Sequence, residues 1–139
     1  MKFNYLFLCF VLFPMFLMAK IHDTKIPASV ESYFQMNRTG PQLISTEVLN
    51  HRQSGRTIKI KIIATRNKSA KDLAFAFAAS AAVANMAERP FDLLWVEMDI
   101  NFKGSETTVA LAPANCTIDA LIFGNVETEK WWSNCLQFP

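Results

Sequence analysis

An alanine-rich stretch between two strand signals constrains this 139-residue chain more than any other feature. Residues 69–90 read SAKDLAFAFAASAAVANMAERP. At about 100° per residue, Phe75, Ala79, Val83 and Met86 fall on one side of a helix, and Leu73, Ala76, Phe77, Ser80 and Ala84 widen that surface. Lys71, Ala78, Asn85 and Arg89 are left as a narrow polar stripe. A helix apolar over most of its circumference must be largely buried. Its alanines carry nothing beyond Cβ, so a sheet can come close. Ser69 followed by Asp72 reads as the amino-terminal cap, with the carboxylate near the positive helix end. Pro90 ends the run by disfavouring helical geometry at Arg89.

The flanking segments alternate with period two. Residues 57–64 set Ile58, Ile60 and Ile62 against Lys59, Lys61 and Ile63. Residues 91–102 set Leu94, Val96, Met98, Ile100 and Phe102 against Leu93, Trp95, Glu97, Asp99 and Asn101. Residues 42–50 read as a further strand, with Ile44, Thr46 and Val48 on one face and Ser45, Glu47 and Leu49 on the other, and the polar turn 51–55 joins it to residues 57–64 as a hairpin. Lys103, Gly104 and Ser105 turn the chain into a last strand, 107–112, with Val109 and Leu111 expected inwards. Strand, helix, strand implies a parallel pair joined by a right-handed crossover. The predicted fold is α+β: a two-layer sandwich of four mixed strands in a ββαββ core, packed by the central helix. A short helix is expected at 27–36; residues 116–124 fit a helix ending on Gly124, the favoured reading, or another strand, and 127–136 a last helical turn or coil. Leu93, Trp95 and Ile63 share the sheet's outer face, and the Trp131–Trp132 tail is the expected cover.

Residues 1–19, MKFNYLFLCFVLFPMFLMA, resemble a secretory signal: Lys2, an apolar run from Tyr5 to Met18, and Ala19 before Lys20. The run is about 14 residues, short of the roughly 20 needed to span a bilayer. An uncleaved anchor through residues 5–18 is the competing reading, and a lipid-modified Cys9 is disfavoured by its mid-run position. The expected organisation is a leader at 1–19, a segment with a short helix at 20–40, and one α+β domain at 41–139. Cys116 and Cys135 then remain as an even pair in a chain bound for the periplasm or for secretion, so they are expected to form a disulfide. Closing that loop stabilises by about 3 kcal/mol in the chain-entropy model.

Beyond residue 19 the chain carries thirteen basic and twelve acidic residues, so its distribution of charge says more than its sum. Residues 48–71 hold seven bases and no acid; residues 88–129 hold eight acids against Arg89 and Lys103. If the middle strands are neighbours, Lys59 and Lys61 lie near Glu97 and Asp99, and cross-strand pairs absorb much of the asymmetry at roughly 0.2–1 kcal/mol each. Arg52, Arg56, Arg66, Lys68 and Lys71 fall at turns or at the helix start, where they are expected to gather at one end of the sheet as a basic patch.

Chemistry is sparse. Four glycines leave no phosphate-cradling loop, no G-x-S-x-G is present, and neither Cys116 nor Cys135 has a histidine near it in sequence. No cofactor or metal site is implied. Glu97, Asp99 and Asp119 are the one carboxylate set from which a metal-dependent hydrolase would be built. His51, in a turn, is read as an exposed histidine. Three sequons, at Asn37, Asn67 and Asn115, are potential glycan acceptors in a eukaryotic secretory route. Nucleic acid is disfavoured as a ligand, because no aromatic series accompanies the bases. The expected role is a small exported binding or accessory protein whose partner is another envelope or secreted macromolecule. A hydrolase using the three carboxylates and a membrane-anchored structural subunit are the alternatives.

Overall fold

The structure, a computed structural model, describes residues 20–101 and 104–139. The leader expected at 1–19, Phe102 expected at the end of the strand and Lys103 expected in the turn lie outside the described residues. Four strands, β1 (Gln42–His51), β2 (Gly55–Ala64), β3 (Leu93–Asn101) and β4 (Ser105–Pro113), form one sheet in the order β1-β2-β3-β4. The outer pairs are antiparallel and β2 runs parallel to β3. Helix α1 (Ile26–Met36) lies on β1, and α2 (Ser69–Asn85) crosses β2 and β3 on the same side. A short α3 (Ala114–Thr117) continues into a π turn, Ile118–Ile122, and α4 (Thr128–Asn134) closes the chain. This is the ββαββ sandwich that the alternation implies.

The core forms where apolar stripes meet. Ile58, Ile60 and Ile62 of β2 and Leu94 and Val96 of β3 are fully buried beneath Ala76, Phe77, Ala79 and Ala81 of α2. Each fully buried aliphatic side chain is worth about 1.5–3 kcal/mol relative to exposure. Residues 20–40 share this core. Ile26 and Val30 of α1 are fully buried, and Phe34 meets Phe75 of α2 edge-on with ring centroids 5.0 Å apart.

Five details depart from the pattern. Helix α2 stops at Asn85 rather than running to Pro90, because Ile21 takes the next backbone groups: its N–H donates to Met86 O and its C=O accepts from Glu88 N–H, both at 2.8 Å. Met86, expected inwards, is therefore half-exposed. At the other end Ser69 is already helical, and its hydroxyl donates back to Arg66 O at 3.2 Å instead of capping. In β1 the register shifts between Leu43 and Ser45, so Leu43 lies across from Ile62 and Ile44 is turned out, 46% exposed. In β4 the inward residues are Ala110 and Ala112, both buried, while Val109 and Leu111 lie across from Glu97 and Trp95 on the outer face.

The fifth departure concerns the tail. Trp131 is fully buried on the helical side, against Phe77 at 5.4 Å between ring centroids. Its indole N–H donates to the Thr117 hydroxyl at 3.0 Å, and that hydroxyl donates to Pro113 O at 2.9 Å. Trp132 packs on Trp131 and Phe138 rather than on Trp95. The expected cover for the outer face is therefore part of the inner layer. Cys116 and Cys135 are disulfide-bonded, with Cα atoms 6.3 Å apart. Among the described residues no helix is long and apolar enough to cross a membrane.

Candidate functional site

The five basic residues do not meet. Arg52 is exposed in the β1–β2 turn and Arg56 stands at the start of β2, whereas Arg66, Lys68 and Lys71 follow its end. At about 3.3 Å per residue these ends are roughly 30 Å apart. Arg56 is also committed to the fold. Its Nη1 and Nη2 donate to the two oxygens of Asp23 at 2.8 Å each, its Nε donates to Pro90 O at 3.1 Å, and its guanidinium covers the Phe91 ring at 4.4 Å. These bonds, ahead of the charge itself, hold the Asp23 carboxyl below its ordinary range against the opposing pull of burial. Beside them Asp92 accepts the Arg56 backbone N–H at 2.9 Å. Gly55, at φ 77°, leaves the space that Asp92 fills, and a Cβ there would collide with that carboxylate. At the far end, Asp72 of α2 is buried, and burial raises its pKa despite nearby Lys68 and a backbone bond from Thr65.

On the outer face the charges pair across β2 and β3 as the sequence suggests. Lys59 Nζ lies 3.2 Å from Glu97 and Lys61 Nζ 3.6 Å from Asp99, while the Thr107 hydroxyl donates to Asp99 at 2.8 Å. Lys59 also sits 5.0 Å over the Trp95 ring, and exposed His51 lies 6.3 Å from that ring. Asp119 is remote from these carboxylates: it belongs to the π turn that packs on α2, in the helical layer. Glu97, Asp99 and Asp119 thus do not converge. Among the described residues no three His, Cys, Asp or Glu side chains gather to hold a metal ion.

What the sequence does not announce is a groove of about 420 Å³ between α1 and the free edge of β1. Pro27, Phe34, Pro41, Leu43 and bulged Ile44 supply its apolar walls, and Glu31 is its charged lining residue. The Thr46 hydroxyl at its wall is buried with no hydrogen-bond partner in the described structure. No described strand pairs with the outer edge of β1. One signal for this site is present in the sequence: β1, QLISTEVLNH, lacks the lysines and prolines that usually blunt an edge.

Of the sequons, Asn37 is exposed at the end of α1 and Asn67 is exposed in a 3-10 turn of helix, Arg66–Lys68. The Asn115 sequon contains disulfide-bonded Cys116 and the buried Thr117 relay, so structure alone accounts for those two residues. No protein-family model, curated protein or solved structure matches this chain.

Proposed function

We propose that this chain is a small exported protein that works by binding another macromolecule along its β1 side. The observation that carries this reading is the open, ten-residue edge of β1 beside an apolar groove. An exposed edge offers unpaired backbone N–H and C=O groups, and a groove alongside offers a site for a side chain. The Cys116–Cys135 bond and the signal-like residues 1–19 support an oxidising destination, the periplasm or the exterior.

A photo-crosslinking amino acid placed at Ile44 in the full-length chain, expressed in its native host, tests the reading. It is expected to trap a defined partner that the same probe at Val109 on the outer face does not. The intact mass of the recovered protein is expected to begin at Lys20. Adducts from Val109 with none from Ile44 would move the binding surface to the outer face. A full-length mass with freely alkylated thiols would remove the export.

A further inference from the structure

We infer that the occupant of the β1 edge is an extended segment of another protein, basic at its centre and acidic at its ends, which joins the sheet as a fifth strand. This rests on the reading above that β1 is the binding side. In strand addition the main-chain bonds supply affinity, and specificity comes from the side chains that flank them. Here those flanking groups carry an ordered charge pattern. Arg38 lies in the turn before β1, Glu31 on α1 lines the groove on the helical side of its first half, Glu47 stands at its middle on the outer face, and Arg52 lies in the turn after it. All four are exposed.

The two glutamates are not neutralised by the fold. Glu31 accepts a long bond from Gln35 at 3.4 Å, and the lysine opposite Glu47 in register, Lys59, turns its ammonium to Glu97 instead. Neither glutamate forms an ion pair among the described residues. The same pattern argues against a second copy of this chain. Two β1 strands paired antiparallel about a dyad would bring Arg38 of each copy towards Arg52 of the other and set glutamate near glutamate. Like charges on facing strands destabilise the pair. A segment with adjacent Lys or Arg residues at its middle, one turned to each face, and Asp or Glu at its ends meets Glu47 on the outer face and Glu31 on the helical face. Its inward side chains then lie over Phe34, Leu43 and Ile44 in the groove.

Two capped decapeptides of identical composition, Asp-Val-Thr-Val-Lys-Lys-Val-Thr-Val-Asp and Lys-Val-Thr-Val-Asp-Asp-Val-Thr-Val-Lys, each with its two central charges on opposite faces, test this on the intact protein by titration monitored through backbone amide shifts. The basic-centred peptide is expected to shift the amides of residues 42–51 and to bind about fivefold tighter than its counterpart at low salt, the preference fading as salt rises. The Glu31→Lys/Glu47→Lys variant, which changes only exposed positions, is expected to reverse the preference. Shifts at β1 that are equal for both peptides would overturn the charge pattern and leave the β1 reading standing. Shifts elsewhere, or none with either peptide, would overturn both. A dimer joined through β1 that excludes the peptides would assign the edge to a second copy and overturn the inference.

Discussion

At the β4 edge of the sheet, Leu111 and Gln137 exchange both backbone hydrogen bonds at 2.8 Å, and the segment that carries Gln137 is anchored by Cys135 to Cys116 and by Trp131 to Thr117. At the β1 edge, no described residue pairs with the strand, and a bulge turns Ile44 towards solvent beside a groove. The β4 edge is bridged at Leu111 by a tail with two anchors; the β1 edge has only a bulge. Open edges invite pairing with other chains. The difference teaches that this fold manages its edges unequally: a tail reaches the β4 edge at Leu111, whereas no described residue reaches the outer edge of β1, the side proposed here to bind.

The comparison predicts unequal sensitivity to mutation. On the closed side Trp131→Ala removes a fully buried ring and its hydrogen bond to Thr117, and is expected to cost about 3–5 kcal/mol in urea unfolding. A loss under about 1 kcal/mol would show that the tail is not part of the core. Next in size, replacing Cys116 and Cys135 together by Ser is expected to lower stability by about 3 kcal/mol, and reductant is expected to bring the wild type to the same midpoint. If reductant leaves the midpoint in place, the bond does not form.

Between the edges, two carboxylates at opposite ends of β2 respond to acid in opposite directions. Asp23 has a lowered pKa, through its bonds to Arg56, so its stabilising contribution is complete above about pH 4 and is lost as pH falls through its folded value. Asp72 has a raised pKa, through burial, so the fold favours its neutral form and its contribution rises as pH falls through that raised value towards about 3.8. Unfolding free energy followed from pH 7 downwards is expected to lose its steepest acid decline in Asp23→Asn and to fall earlier in Asp72→Asn. Parallel curves for both variants and the wild type would contradict this assignment. The smallest effect belongs to the open side: Ile44→Asp is expected to change stability by no more than about 0.5 kcal/mol while weakening peptide binding at β1.

Much of this was legible in the residues. Period two in 57–64 and 91–102, with the alanine helix between them, defines the parallel pair, and the hairpins on either side fix the strand order. Lys59 and Lys61 against Glu97 and Asp99 follow from that topology, and Cys116 against Cys135 from their being an even pair beyond the leader. The departures are non-local. The β1 bulge reversed Ile44, and alternation alone cannot decide which face of β4 meets the helices, because Val109 and Leu111 look more like core than Ala110 and Ala112. Trp131 was assigned to the wrong layer for want of its partners, Phe77 and Thr117, which lie far from it in sequence. The basic residues looked like one patch because they are close in sequence, yet a ten-residue strand separates them. Arg56 is reserved by Asp23, thirty-three residues away. The groove needed both α1 and β1 in place.

Native-state amide hydrogen exchange tests the contrast between the edges most directly. The amides of Leu111 and Gln137 are expected to exchange slowly, as paired strand amides do, while the outward-facing alternate amides of β1 exchange quickly. Uniform slow exchange along all of residues 42–51 would mean that the β1 edge is already covered, and the account of an open binding side would be wrong.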